Sequence, residues 1–137
     1  MEYTINIQPK ATPRPRVKNI VKNGKKINLT YYPKDYVDYK NKVCLMIKAL
    51  NIPTKDYTKL YVRFGMPYPK TVVGGKKEKI EAKPHKKRPD TSNLLKGFED
   101  FLNDCGVLLI DDSSLYFVQA SKVYTNTEGY ITFMLEE

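Results

Sequence analysis

The sequence predicts an α/β protein: an α+β layer in which a mixed four-stranded sheet carries two main helices. Three observations predict it. Two stretches, 34–50 and one beginning after Pro89, repeat apolar residues at intervals of three and four. Four shorter stretches, at Tyr3–Gln8, Leu60–Phe64, Leu115–Tyr124 and Tyr130–Leu135, are rich in β-branched and aromatic residues. Their order, strand, helix, strand, helix, strand, strand, admits both parallel and antiparallel neighbours. At 137 residues the chain is expected to form one domain, 1–137, with a single core. Charged residues make up 28% and hydrophobic ones 41%, a globular rather than a disordered balance.

The first strand alternates, with Tyr3, Ile5 and Ile7 inward, and Pro9 ends it. Residues 10–26 carry Lys10, Arg14, Arg16, Lys18, Lys22, Lys25 and Lys26 and no acid. Pro13-Arg14-Pro15-Arg16 is extended, because each proline restricts its neighbour. Asn23-Gly24 signals a hairpin turn, across which Val17–Val21 and Ile27–Tyr32 pair as a small ribbon. Two readings of this basic arm at 10–32 stand: a solvated loop, or an arm on a DNA backbone with Arg14, Arg16 and Lys18 as phosphate donors. Pro33 suits a first helical turn. Tyr36, Val37, Lys40, Val43, Cys44, Ile47 and Leu50 continue it, and Asn51-Ile-Pro53 stops it. Tyr31, Tyr32, Tyr36 and Tyr39 suit core-edge packing, with base stacking as the alternative.

The second strand centres on Leu60–Phe64 and is followed by a mobile basic loop at 67–89. Its Lys76, Lys77, Lys86, Lys87 and Arg88 lead toward Asp90. The loop reads either as inert and solvated or as a flap that guides phosphates.

Pro89 sets the start of the second helix. Asp90, Thr91 and Ser92 are all N-cap types. Leu94, Leu95, Phe98, Phe101 and Leu102 share one face, while Asn93, Lys96 and Asp100 form a polar stripe running back toward Asp90. Cys105-Gly106 is a C-terminal stop. Val107–Ile110 is apolar enough to be partly buried, so Asp111 and Asp112 at its end should face a cleft or a partner. Each acid also has a bland reading: Asp90 as a cap, Lys96 with Asp100 as a surface ion pair, the Asp pair as a turn. Their combination points elsewhere, since adjacent carboxylates repel unless a cation lies near them.

Pro89-Asp90-x-x-Asn93-Leu94-x-Lys96, followed by Leu-Ile-Asp111-Asp112, resembles the RusA family of Holliday-junction resolvases. The resemblance implies a small dimeric endonuclease of phage or prophage origin, acting on branched double-stranded DNA in a bacterial cytoplasm. It implies that Asp90, Lys96 and Asp112 are catalytic, and that Asp90, Asp112 and Asp111 bind Mg²⁺, with Mn²⁺ substituting. Asn93 and His85 are implied as supporting residues. The family's second acid is replaced here by Ser92, a poorer ligand for a hard cation. Three readings follow: Ser92 ligates weakly or through water; Asp111, His85 or Asp100 fills in; or the protein binds its substrate without cutting it.

The formal charge of +9 points to an anionic partner, and nucleic acid is favoured over a membrane because no basic amphipathic helix stands out. No apolar run approaches the ~18 residues of a bilayer span. Met1–Ile5 lacks a signal-peptide layout. Cys44 and Cys105 are too few and too far apart for a zinc site and are read as reduced thiols of a cytoplasmic protein. Two further classes stay open. One is a non-catalytic branched-DNA-binding protein, for which Ser92 argues. The other is a basic RNA-binding structural protein, against which the Asp111-Asp112 pair stands.

Overall fold

The structure, a computed structural model, describes residues 1–69 and 80–137. The element order is β1 (Glu2–Ile5), β2 (Arg16–Lys22), β3 (Lys25–Tyr31), α1 (Lys34–Ala49), β4 (Lys59–Pro67), α2 (Thr91–Asp104), β5 (Phe117–Thr125) and β6 (Tyr130–Glu136). As the sequence predicts, four strands form one mixed sheet, in the order β1-β6-β4-β5. β6 runs antiparallel to both of its neighbours, while β4 and β5 are parallel. A parallel pair needs a long crossover, and α2 supplies it.

Alternation along the strands decides what the helices cover. Leu60, Val62, Phe64 and Met66 of β4, with Ile131, Phe133 and Leu135 of β6, point into the core. Onto them pack Tyr36, Tyr39, Val43 and Ile47 of α1 and Leu94, Phe98, Phe101 and Leu102 of α2. Phe98 sits edge-on to both Phe64 and Phe133, at ring-centroid distances of 6.3 and 4.9 Å. On the opposite face of the sheet, Gly65 lies under the Tyr130 ring, where a Cβ would come within 2.3 Å of it.

β1 ends at Ile5, short of the expected Gln8. The amide of Ile7 turns back to the Ile5 carbonyl, and the Gln8 carbonyl is taken by the Tyr39 hydroxyl at 2.7 Å. The same hydroxyl accepts from the Lys10 amide at 3.2 Å. Burial pushes the Tyr39 phenol up, so it stays neutral and able to donate. Two residues on, the Thr12 and Tyr36 hydroxyls meet at 3.1 Å. Gly97 of α2 faces this point: a Cβ there would lie 2.7 Å from Thr12 Oγ1. The root of the arm is therefore clamped between the two helices.

Beyond that root, β2 and β3 form a separate two-stranded sheet whose strands pack extensively only on each other. Its turn is Asn23-Gly24, with φ of 54° and 74°, the left-handed pair that a tight hairpin requires. No helix among the described residues is long and apolar enough to cross a membrane.

Candidate active site on helix α2

Asp90 occupies the N-cap position of α2 with extended backbone, reached through a cis Arg88–Pro89 peptide. Its carboxylate makes no capping hydrogen bond. An acid at a helix start normally accepts from the exposed amides of the first turn. Here it is exposed instead, lining an open depression with Arg88, Pro89 and Asn93. Ser92 and Asn93, in the first turn, are exposed beside it.

The approach to Asp90 is fixed along one edge of the sheet. The Ala82 amide donates to the Tyr124 carbonyl, the Tyr124 amide to Lys83, and the His85 amide to Lys122, at 2.8–3.0 Å. Lys122 Nζ donates to the carbonyls of Lys87 and Pro89. Of the expected mobile loop at 67–89, residues 80–89 are thus tied to β5. Lys76 and Lys77 lie outside the described residues. Lys86, Lys87 and Arg88 are exposed on the tied segment, directly before Asp90.

His85 is a packing residue in this arrangement. Its ring lies 4.5 Å from that of Tyr124, which in turn stacks on Tyr68 at 4.5 Å. Its Nδ1 is buried without a partner. Burial, with Lys122 adding to it, lowers the imidazole pKa below the ordinary value. The imidazole is therefore neutral at pH 7.

At the other end of the stripe, the two acids of the Asp pair have separate surroundings. The Asp111 carboxylate accepts from the Ser113 amide at 2.9 Å and from the Ser113 hydroxyl, capping the 3₁₀ turn Asp112–Ser114. These bonds hold its pKa below the usual range. Asp112 instead faces α2, against which the 3₁₀ turn packs. Burial, followed by the negative charge of Asp112, raises the pKa of both Glu99 and Asp100. Lys96 pulls Asp100 the other way. Glu99, Asp100 and Asp112 thus form a repelling acidic group with Lys96 beside it.

The bland reading of the Asp pair as a turn holds, since Asp111 caps the 3₁₀ turn that starts at Asp112, whereas the ion-pair reading of Lys96 and Asp100 does not. The ion pairs found among the described residues are Lys40–Asp104 and Lys55–Glu137, so Lys96 is not locked onto Asp100. Of the expected site residues, the structure places Asp90, Ser92, Asn93 and Lys96 along one stripe of α2, with Asp112 facing its far end. Asp100 does not fill in for Ser92 beside Asp90. Ten residues of helix separate them, roughly 15 Å along the axis. His85 is committed to its stack, and Asp111 to its cap.

Two contributors escape sequence reasoning. Glu99 lies beside the stripe rather than on it, and only the fold brings Asp112 against it. Lys122 carries no sequence signal at all, because the carbonyls it holds lie 33 and 35 residues earlier.

Mg²⁺ suits this donor set. It keeps several waters and takes one or two carboxylates together with substrate phosphates. Among the described residues no three His, Cys, Asp or Glu side chains are gathered for an ion.

The backbone of Arg14 and Arg16 leads from the clamped root into the ribbon, whose first strand holds Lys18. Arg14, Arg16 and Lys18 are all exposed. Of the four tyrosines near this region, Tyr36 and Tyr39 are buried in the core and Tyr31 and Tyr32 are largely exposed.

A family model described as Endodeoxyribonuclease RusA matches residues 6–135. Comparison with curated proteins finds no match.

Proposed function

This chain belongs to the RusA endodeoxyribonuclease family, and from that premise we propose that it is a Mg²⁺-dependent enzyme that resolves four-way (Holliday) DNA junctions by paired phosphodiester hydrolysis. The observation that carries the proposal is Asp90, a carboxylate at a helix N-terminus that does not cap its own helix. A charge left unengaged there is available to a substrate complex.

In this reading Asp90 and Asp112, at opposite ends of the stripe, would each offer a carboxylate to Mg²⁺ held together with substrate phosphates, with Mn²⁺ able to substitute; Asp111 supports Asp112, and Ser92 contributes at most through water. The metal would lower the pKa of a bound water and offset charge on the phosphate. The chain supplies the rest. The first turn of α2 presents unpaired amides where a scissile phosphate can bind, and the helix dipole favours the anion. Lys96, one and a half turns on and without an ion pair among the described residues, stabilises the negative charge that develops during cleavage. Asn93 lines the same depression and orients the phosphate. Arg88, Lys86 and Lys87, on the segment tied to β5, hold one duplex arm. Arg14, Arg16 and Lys18, with Lys76 and Lys77, hold others.

Cutting a junction symmetrically needs two active sites, which a two-fold homodimer provides. The alternative of an RNA-binding protein is disfavoured by Asp90, Glu99, Asp100 and Asp112, since acids beside a basic face weaken binding to a polyanion without adding chemistry.

The test is cleavage of a labelled mobile four-way junction in Mg²⁺ or Mn²⁺ against EDTA, alongside Asp112→Asn. Metal-dependent paired nicks that vanish in the variant support the proposal. Tight junction binding without nicks in either metal would leave a branched-DNA-binding protein whose metal site is degraded at Ser92.

A further inference from the structure

The ribbon of β2 and β3 has two unlike faces. Cross-strand partners in an antiparallel pair share a face. The register pairs Arg16 with Tyr31, Lys18 with Leu29, Ile20 with Ile27 and Lys22 with Lys25. That face carries Arg16, Lys18, Lys22 and Lys25. The other pairs Val17 with Thr30, Asn19 with Asn28 and Val21 with Lys26, so its one cation is Lys26. Neither face holds an acid.

The free ribbon is poorly stabilised by its own chain. An isolated hairpin is marginal in water without something to pack on. Lys22 and Lys25 sit directly opposite each other at its tip, and like charges in that position destabilise the pair. On the cationic face, Leu29 and Tyr31 remain 46% and 44% exposed. A polyanion relieves the repulsion and covers the apolar surface between the cations. A second copy of a chain carrying +9 would worsen it.

From these features, and resting on the DNA-cleaving function proposed above, we infer that the ribbon enters the major groove of a duplex arm with its Arg16, Lys18, Lys22 and Lys25 face toward the DNA. Dimensions agree. Two strands lie ~4.8 Å apart and seven residues extend roughly 23 Å. The major groove of B-DNA, ~12 Å wide, admits a two-stranded ribbon, whereas the minor groove, ~6 Å wide, does not. Lys22 and Lys25 then reach phosphates at the far end, and Arg16 lies at the base, where the arm leaves the clamp at Gln8–Thr12. Double-stranded RNA does not receive the ribbon, because its major groove is deep and narrow.

The experiment uses the full chain with Arg16, Lys18, Lys22 and Lys25 all changed to Gln, and Lys26→Gln as the opposite-face control. Binding to a linear DNA duplex, a four-way junction and a duplex RNA is measured by anisotropy across salt. Each lost phosphate contact lowers the slope of log K against log salt by about 0.9, so the fourfold variant loses about 3–4 units of slope on DNA. Lys26→Gln loses less than one. Methyl green, held in the major groove, competes with the wild type, and distamycin, held in the minor groove, does not. On duplex RNA, wild type and the fourfold variant have the same slope.

An unchanged DNA slope in the fourfold variant, equal losses in the control, or competition by distamycin alone overturns the inference while the junction-cleaving function stands. Failure of the wild type to bind any DNA overturns both.

Discussion

Asp90→Asn separates a capping role from a catalytic one. An N-cap side chain that bonds to its helix loses about 0.5–2 kcal/mol when removed. The Asp90 carboxylate makes no such bond, so what remains to it is attraction of its charge to the helix N-terminus, about 0.3–1 kcal/mol. Asn is as good an N-cap type as Asp and can form the missing bond, which offsets that loss. The net change expected is under about 1 kcal/mol, a shift in Tm of no more than roughly 3–5 °C for a chain of this size. Cleavage should respond very differently. Removing a group that acts directly on the reacting phosphate lowers the rate by on the order of 10²–10⁴. Calorimetric melting, paired with single-turnover cleavage at saturating protein, reads both quantities. A fall in Tm of 8 °C or more with cleavage within threefold of wild type would refute the reasoning and make Asp90 a cap after all.

Other changes probe the remaining parts. Ser92→Asp restores a carboxylate two residues from Asp90, and the Mg²⁺ concentration for half-maximal cleavage is expected to drop about tenfold or more, against a charged ligand's advantage for a hard cation; an unaltered Mg²⁺ dependence would remove Ser92 from the metal's neighbourhood. His85 has a folded-state pKa lowered by burial and Lys122, so the unfolded chain takes up its proton first on acidification. The stability it confers is complete above pH 6.5 and is lost as pH falls through the window below it, with a slope of at most about 1.4 kcal/mol per pH unit. In His85→Phe, which keeps the ring on Tyr124, denaturant midpoints should vary less between pH 7 and 5, and an unchanged slope would mean that another group titrates there. Phe98→Ala removes a ring packed on Phe64 and Phe133 and should cost about 3–5 kcal/mol in urea unfolding. A loss under about 2 kcal/mol would show that the core closes over the gap.

Much of this fold is legible because local chemistry and tertiary need agree. Asn23-Gly24 supplies both left-handed residues of the ribbon's turn, and the spacing of Leu94, Phe98, Phe101 and Leu102 matches the face that α2 buries. Legibility fails where a distant group decides. Gln8 reads as strand, but the Tyr39 hydroxyl claims its carbonyl. Val107–Ile110 reads as one partly buried run. Val107 and Leu108 are buried, whereas Leu109 and Ile110 are 62% and 66% exposed. A four-residue apolar run carries no period that could place this division.

The site divides in the same way. The stripe on α2 follows from helical spacing alone. The different fates of Asp111 and Asp112 do not, because they depend on a capping bond to Ser113 and on which side of the 3₁₀ turn meets α2. Nor does anything near His85 in the chain announce that its ring will lie on Tyr124.

The clamp at the root of the arm also bears on how such a protein can diversify. The Tyr39 and Tyr36 hydroxyls fix where the chain leaves the body, and among the described residues β2 and β3 pack extensively only on each other rather than on α2. Ribbons of other lengths, tip sequences or charge patterns can be grafted between Thr12 and Pro33 without disturbing the spacing of Asp90, Lys96 and Asp112. A descendant lineage can thereby exchange the whole basic ribbon as one short insert, while Asp90, Lys96 and Asp112 keep their places on and against α2.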